Sequence, residues 1–399
     1  MIVLVLNCGS TSVKFRLLDT DATAGQPLAG GRVERVGGEA TAVFEAPRGP
    51  AARWRDSVDH AAAVERVVDW LTGPAGAPPI DAVGHRVVHG GDRFTAPVLV
   101  DGAVVAAVEA LETLAPLHNR PSLAGMRAAR RALGPDVPMV AAFDTAFHAA
   151  LPDAAARYAI PDDLARRHGV RRYGFHGLAY RSVLGGYARA VGVEPAVVRL
   201  VALHLGGGCS AAAIAGGRSV DTSMGFTPLE GLVMTTRSGD LDPALVDYLA
   251  EREGVPAARV VGWLNERSGL LGLSGTSGDV RDLLAAQAGD PRARLALDVF
   301  VHRARKYVGA YLAVLGGADA VVFSGGIGER SAEIRARICA GWEWCGLALD
   351  PQRNAVSVDG PVRVSRDAAR LAAWVVPADE ESVVARDTVA CLAGAGRSA

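Results

Sequence analysis

Met1–Lys14 reads MIVLVLNCGSTSVK, and the rest of the chain is organised around it. Ile2–Leu6 is a short apolar run rich in β-branched residues, the pattern of a buried strand. Asn7, Cys8 and Gly9 interrupt it and Ser10, Thr11 and Ser12 follow. Alternation then resumes through Val13, Lys14, Phe15, Arg16, Leu17 and Leu18. The stretch predicts a strand, a tight polar turn and a second strand. Gly9 can adopt positive φ. The hydroxyls and N–H groups of such a turn can form a concavity for one phosphate, and Asn7 offers an oxygen to a hard cation. Taken alone, the stretch reads as an ordinary hairpin.

The pattern recurs. Leu200–Ser210 reads LVALHLGGGCS and leads into a second apolar stretch, AAAIAGGRS. A third version, AVVFSGGIGE, occupies Ala320–Glu329. Three strand-then-glycine loops, far apart in sequence, predict two similar half-molecules facing one nucleotide.

The chain has 399 residues, enough for two cores. Half of it is hydrophobic and the formal net charge is −1, which gives no support for nucleic-acid or membrane binding through bulk charge. No basic leader or signal segment is read at Met1, and no apolar run is long enough to span a bilayer. Cys8, Cys209, Cys339, Cys345 and Cys391 are odd in number and lack CxxC spacing, the pattern of reduced thiols in a cytoplasmic protein. Cys8 and Cys209 read as small side chains in crowded turns, not as reactive thiols.

Along the chain, residues 20–56 predict antiparallel strands and loops, and 58–73 a helix ending at Gly73. Residues 80–83 predict a strand, 104–114 and 122–133 helices, and 138–143 a strand delivering Asp144. Helices follow at 161–168 and 180–191. The second repeat starts near Arg199. Beyond it, helices are expected at 243–253, at 256–267 with Pro256 in the first helical position, at 279–288, 292–315 and 331–340. Ser268–Gly278 is expected to be a loop, Leu371–Val376 the last strand and Glu380–Leu392 the last helix. This alternation predicts an α/β protein of two related domains, divided just after Asp144.

Five segments place polar residues where strands end, the usual ligand edge of open α/β sheets. GHRVVHGG sets Arg86 between His85 and His89, where its planar fork can meet a carboxylate or phosphate; a lone arginine there reads as a structural ion pair. AAFDTAFH sets Asp144 after a strand, as a cap or a catalytic carboxylate, with His148 one turn on. RRYGFHGLAY holds His176 between Phe175 and Gly177, as a core residue or a catalyst. DTSMGFTPLEGLVMTTRSGDLDP, residues 221–243, is long, aperiodic and apolar in its middle, then delivers Arg237, Asp240 and Asp242. PADEESVVARD clusters Asp379, Glu380 and Glu381 at a helix start, where negative charge is favoured in any case and where a carboxylate can also hold Mg²⁺. No Walker motif and no GxGxxG opening a helix is present.

Together these segments resemble the acetate kinase family of the acetate and sugar kinase/Hsp70/actin superfamily. The resemblance runs end to end: NCGSTSVKF at 7–15, GHRVVHGG at 84–91, LAPLHN at 114–119, FDTAFH at 143–148, RRYGFHG at 171–177, HLGGG at 204–208, DTSMGFTPLEG at 221–231, TRSGDLDP at 236–243, SGLLGLSGTSGDVRDL at 268–283 and GGIGE at 325–329. It implies two ribonuclease H-like, actin-like domains with a cleft between them: residues 1–146, completed by a C-terminal helix at about 380–399, and residues 147–379.

The resemblance also implies reversible, Mg²⁺-dependent in-line phosphoryl transfer from ATP to acetate, with Mn²⁺ as a substitute, in a cytoplasmic homodimer. Asn7 and Glu380 match the metal-binding pair. Ser10, Ser12 and Lys14 match phosphate contacts. Arg86 and Arg237 match the arginines on the carboxylate and on the phosphoryl group. Asp144 matches the essential aspartate, and His176 the transition-state histidine. The nucleotide loops correspond to His204, Leu205, Gly206, Gly207 and Gly208; to Asp279, Val280 and Arg281; and to Gly326, Ile327, Gly328, Glu329 and Arg330. Val88, Leu117, Phe175 and Pro228 match the methyl pocket. A carboxylate acceptor is already ionised at neutral pH, its pKa being near ~4, so Asp144 is expected to orient an arginine or a metal-bound water, while the resemblance implies acid/base work as the alternative role.

The chain departs from the family pattern at Gly207 (usually Asn), Cys209 (Ser), Thr235 (Gly) and Arg330 (Asn), and carries Gly177, Leu178, Ala179 and Tyr180 where Gly-Thr-Ser-His is usual. An apolar pocket discriminates by only ~1–3 kcal/mol per methylene, so propionate or butyrate is the alternative acid. A non-catalytic ATP-driven switch is the alternative of another class, and the intact Arg86, Asp144, His176 and Arg237 count against it.

Overall fold

The computed structural model describes residues 1–21, 27–47, 49–113, 116–356 and 359–395; for 113 and 116–118 it describes the backbone alone. The chain divides into two compact units, residues 1–149 with 379–399, and residues 150–378.

The first unit opens with a meander, β1 (Ile2–Cys8), β2 (Ser12–Asp19), β3 (Ala29–Glu34), β4 (Glu39–Glu45) and β5 (Ala52–Ser57). Helix α1 (His60–Thr72), strands β6 (Ala82–Val87) and β7 (Val98–Leu99), helices α2 (Gly102–Ala110) and α3 (Pro116–Leu133), and strand β8 (Met139–Phe143) follow. Its sheet runs β5-β4-β3-β2-β1-β6-β8-β7, with β1, β6 and β8 parallel. On β2, Val13, Phe15 and Leu17 are buried while Lys14 is exposed, the period of a half-covered strand. Phe15, Phe44 and Trp70 pack edge-on beneath, with Phe15 and Phe44 centroids 5.1 Å apart. Helix α1 starts where the Asp59 side chain accepts from Ala62 N–H, and stops at Gly73.

The second unit begins with α4 (Asp153–Ala156), α5 (Asp162–His168) and α6 (Gly177–Val191), then β9 (Arg199–Leu205), β10 (Cys209–Ala215) and β11 (Arg218–Thr222). Helices α7 (Ala244–Glu253), α8 (Ala257–Glu266), α9 (Gly269–Ser274), α10 (Val280–Ala286) and α11 (Pro291–Leu315) lead to β12 (Ala320–Ser324). Helices α12 (Gly325–Arg330), α13 (Ala332–Cys339) and α14 (Pro351–Ala355) and strands β13 (Val362–Arg363) and β14 (Ala372–Val375) complete it. Its sheet runs β11-β10-β9-β12-β14-β13. Five neighbouring strands thus share one order and sense in both units, β3-β2-β1-β6-β8 and β11-β10-β9-β12-β14, so the expected pair of related α/β domains is present. Asn7, sixth in β1, and His204, sixth in β9, hold equivalent positions, facing Lys14 and Ser210 across their hairpins. The chain then returns to the first unit as α15 (Glu380–Ala395), which packs on β1, β6 and β8.

Several local expectations are corrected. Asn7 and Cys8 stay within β1, because the ladder to β2 extends through Cys8 and Val13. Gly9 does not enter the left-handed region. Helix α3 begins at Pro116 and carries Pro121 inside it. Pro256 is the residue before α8, with extended ψ of 148°, not its first helical residue. Ser268–Gly278 is not a loop throughout, since α9 forms within it. The third glycine segment is a strand turning directly into a helix, α12, rather than a hairpin. Among the described residues no helix is long and apolar enough to cross a membrane.

Candidate active site

In the first unit, three parallel strands deliver side chains at their C-terminal ends. Asn7 on β1 lies in register with Arg86 on β6, and Arg86 with Ala142, two residues before Asp144. Arg86 makes a fork on Asp144, Nη2 to Oδ2 at 2.6 Å and Nε to Oδ1 at 3.2 Å. Its Nη1 donates to Asn7 Oδ1 at 2.9 Å, and its Nε stands 3.2 Å from Glu380 Oε2 at the start of α15. The Asp144 side chain is 1 % exposed and that of Arg86 15 %. Burial disfavours the guanidinium charge, but Asp144 and Glu380 outweigh it and raise the pKa above its ordinary value. The cluster is one cation held by two carboxylates and an amide oxygen, with a planar fork fixed in direction.

Beside it the first hairpin closes with Gly9 N–H donating to Ser12 O at 2.8 Å. Ser10 is exposed, Ser12 half-buried and Lys14 exposed; Lys14 has no ion pair among the described residues. Val88 is buried two residues past Arg86. Leu117, assigned to the methyl pocket, lies outside the described side chains.

In the second unit, His176 immediately precedes α6 with φ of 60°, one of two non-glycine residues with positive φ among those described. Such strain concentrates at functional sites. Its Nδ1 lies 2.8 Å from Ser210 Oγ, and its ring is 4.7 Å from that of His204. A Cβ built on Gly208 would lie 3.5 Å from both His176 Nε2 and Arg237 Nη1, so the imidazole edge and the guanidinium converge on that glycine. Arg237 donates to the Pro228 carbonyl at 3.2 Å and has no carboxylate partner among the described residues. Burial lowers its pKa, yet guanidinium stays charged in proteins. A largely desolvated cation with no counter-ion is a place for an anion. Phe175 is buried at 1 % exposure.

A cavity of about 570 Å³ opens in this unit, walled by Gly206, Gly207, Thr235, Gly278, Asp279, Val280, Arg281, Leu284, Gly326, Ile327, Arg330 and Ser331. Its size suits a nucleotide-sized ligand. Asp279 and Arg281 pair at its rim, Nη2 to Oδ2 at 2.6 Å; that bond holds the Asp279 carboxyl below its usual range. Five residues expected in the nucleotide loops, His204, Leu205, Gly208, Gly328 and Glu329, do not line this cavity. Leu205 and Gly328 are buried. Glu329 turns its carboxylate onto the Gly325 N–H at 2.9 Å and the Ala378 N–H at 3.3 Å, bracing α12. His204 is held by Ser324 Oγ at 3.1 Å. Burial pushes the thiols of Cys8 and Cys209 up to about 12, so neither is a thiolate at neutral pH.

A model described as the acetokinase family matches residues 2–386. This chain belongs to the acetokinase family. An acetate kinase of Chloroherpeton thalassium is 47% identical over 413 residues, which cover 98% of this chain and 99% of that one. The crystal structure of Porphyromonas gingivalis acetate kinase superposes with a TM-score of 0.90 at 40% identity, covering 98% of this chain and 99% of the other. A propionate kinase from Francisella tularensis gives the same TM-score of 0.90 at 36% identity, with the same coverage.

Seen in an acetokinase-family chain, several further residues support the site. His60 Nε2 lies 2.7 Å from the Gly9 carbonyl and holds the first hairpin from α1. Asn119 both accepts from His89 N–H and donates to His89 O, and Thr145 Oγ1 accepts from Gly90 N–H, which fixes the turn after Arg86. The long segment before Arg237 is fastened by Glu230, which takes hydrogen bonds from Tyr158 and, at 2.6 Å, from Arg172. Asp240 is part of that bracing, accepting from Gly231 N–H at 2.8 Å and Tyr307 at 2.9 Å. Thr235 donates to the Gly207 carbonyl at 3.0 Å, so two departures from the family pattern touch each other. Sequence carries no local signal for most of these, because the partners stand many residues apart.

Proposed function

We propose that this chain transfers the terminal phosphoryl group of ATP to acetate, giving acetyl phosphate and ADP, and also runs the reverse reaction. The observation that carries this reading is Arg237: a largely buried guanidinium without a carboxylate partner among the described residues, converging with His176 on Gly208, in a member of the acetokinase family.

Phosphoryl transfer asks for positioning and charge stabilisation more than covalent help. An acetate oxygen forms a bond to the γ-phosphorus as the bond to the ADP oxygen breaks. Arg86, oriented by its fork to Asp144, offers positive charge to the carboxylate. Arg237 and His176 offer donors to the equatorial oxygens, whose charge they stabilise. The acid is ionised with a pKa near ~4, so Asp144 acts as an orienting group and not as a base. Gly206, Gly207, Asp279–Arg281, Gly326, Ile327 and Arg330 hold the nucleotide, and Ser10, Ser12 and Lys14 meet its phosphates. Val88, Leu117, Phe175 and Pro228 enclose the methyl group.

Asn7 Oδ1 and Glu380 Oε2 both stand against Arg86 and are hard oxygen donors. No cluster of three or more His, Cys, Asp or Glu ligands occurs among the described residues. Two protein oxygens completed by water and phosphates are the donor set that suits Mg²⁺, with Mn²⁺ as substitute. When bound, the ion neutralises charge on the nucleotide phosphates. The same reading takes the enzyme as a cytoplasmic homodimer. Five unpaired cysteines support the first point, and the exposed Leu245, Tyr248 and Val261 of α7 and α8 support the second.

The test is acyl phosphate formation from ATP and Mg²⁺, trapped as hydroxamate, with acetate, propionate and butyrate. Acetate leading in kcat/KM is the expected result. The likeness to a propionate kinase makes propionate the second acid to score; if it leads, the mechanism stands and the substrate changes. No product from any acid would overturn the reading.

A further inference from the structure

Behind His176 lies a chain of hydroxyls that nothing in the reaction as described uses. Tyr180 sits one turn along α6, its backbone N–H donating to His176 O at 3.0 Å. Its phenol oxygen is 2.5 Å from Ser210 Oγ, and Ser210 Oγ is 2.8 Å from His176 Nδ1. Tyr180 and Ser210 are both 0 % exposed. Ser210 is delivered by β10, directly across the hairpin from His204.

The order of donors follows from the chemistry of the three groups. A phenol is a stronger donor than an aliphatic alcohol, and the alcohol is the better acceptor, so Tyr180 gives its proton to Ser210 Oγ. Burial drives the phenol pKa well above its ordinary value, so that proton is present at every working pH. A serine hydroxyl has a single proton of its own, and with Tyr180 as its donor that proton is available to His176 Nδ1. An imidazole that accepts at Nδ1 carries its proton on Nε2. Nε2 and the adjacent Cε1 form the ring edge that lies 3.5 Å from a Cβ built on Gly208, the point that Arg237 Nη1 also approaches to 3.5 Å.

We propose that Tyr180 is a positioning residue that acts through Ser210 to hold His176 as the neutral tautomer protonated on Nε2, so that this N–H meets the transferring phosphoryl group. The last clause rests on the function proposed above; the tautomer does not. A carboxylate in place of Ser210 would favour the imidazolium. A hydroxyl brings no charge to the ring and fixes its direction and tautomer.

The experiment is a two-bond ¹⁵N–¹H correlation spectrum of the whole protein labelled with ¹⁵N-histidine, which reports the tautomer of each ring. The His176 signal is assigned by its loss in His176→Gln. The wild type is expected to show His176 protonated on Nε2. In Tyr180→Phe, which keeps the buried ring and loses the hydroxyl, the signal should become a tautomer mixture. In the same variant kcat should fall roughly tenfold, the scale of losing a group that orients a catalytic imidazole, while KM for acid and ATP moves by less than about twofold. Ser210→Ala should behave alike. His176 protonated on Nδ1 in the wild type would overturn the proposal, even if both variants fail to fold. So would a Tyr180→Phe protein with unchanged tautomer and unchanged kcat. The spectra need no turnover, so a protein that makes no acyl phosphate but shows the tautomer shift refutes the proposed reaction and leaves this inference standing.

Discussion

Asp144 and His85 are both buried near Arg86, the first with a partner and the second with a ring nitrogen that has none among the described residues. Asp144 is buried with a partner, and its fork fixes the direction in which Arg86 points. Asp144→Asn keeps the shape but loses the charge and one acceptor. Its expected effect is a fall in kcat of about 10²-fold, the scale of a lost preorganised electrostatic contact, with the unfolding midpoint changed little because Glu380 still faces the guanidinium. A variant with near-normal kcat would remove Asp144 from the mechanism. His85 precedes Arg86 on β6, so its side chain leaves the opposite face. It is 2 % exposed, and its Nε2 has no partner among the described residues. Burial, and then the neighbouring Arg130, push its pKa down to about 3 from 6.5. Between those values the unfolded chain binds a proton that the folded chain refuses. Stability from this residue is therefore full above about pH 6.5 and is lost as pH falls, by up to about 1.4 kcal/mol per unit. In His85→Leu the urea midpoint should depend less steeply on pH between about 7 and 5 than in the wild type. Equal slopes would show that His85 is not the group responsible.

Segment 221–243 shows how an element without periodicity can still be held in place by many partners. Its conformation is set by contacts from Tyr158, Arg172 and Tyr307 together with its own bonds between Gly231 and Asp240 and between Met234 and Arg237. Gly225 is the clearest case: a Cβ there would lie 1.8 Å from Glu230 Oε2 and 1.9 Å from the Tyr158 hydroxyl. Its carbonyl meanwhile accepts from Tyr173 and Gly174 N–H, just before His176. Gly225→Ala must push Glu230 away from Tyr158 and Arg172, and the change is transmitted towards both His176 and Arg237. We expect a fall in Tm of several degrees, as for about 1–3 kcal/mol of overpacking, and a loss of kcat larger than any rise in KM for ATP. A variant with normal Tm and kcat would show that this bracing is dispensable. The Gly207 turn behaves differently. A Cβ on Gly207 meets nothing within 4 Å, and the turn is tied to Thr235 by its carbonyl. Gly207→Asn should therefore fold with an unchanged Tm and alter KM for ATP, because the new side chain projects at the cavity wall; a drop in Tm would contradict the open space.

At the scale of the molecule, what is legible in the sequence is what each segment settles for itself. The Met1–Lys14 hairpin is read correctly because alternation alone assigns Val13, Phe15 and Leu17 to the core. Its repeat at Leu200–Ser210 is read from a second apolar run ending in glycines, since β9 and β10 are buried along nearly their whole length and do not alternate, and the two shared strand orders confirm the doubling. Arg86 and Asp144 are found as residues at strand ends, although their fork joins positions 58 apart. What stays hidden is set by distant partners. His60 holds Gly9 across 51 residues and Glu230 holds Tyr158 across 72. Helix α9 hides in Ser268–Gly278 because its six residues, GLLGLS, make under two turns and carry too little periodicity to register. The most distant of these partners is the C-terminal helix. Strands β1, β6 and β8 need α15 on their face, and the fit is tight at Gly84, where a Cβ would lie 2.6 Å from Thr388 Oγ1 and 2.7 Å from Val384 Cγ1. Val384 is 1 % exposed and Thr388 0 % exposed. The first unit therefore cannot complete its core without α15, whereas the second unit closes its own sheet between residues 150 and 378. Truncation after Ala378 should leave the first unit open to limited proteolysis and abolish acyl phosphate formation, since Glu380 goes with it. Binding of a fluorescent ATP analogue should survive, because every residue of the 570 Å³ cavity lies in the second unit. If the truncated chain resisted protease in both units, α15 would be a cover and not a part of the first core; if it lost nucleotide binding as well, the two units would depend on each other for folding.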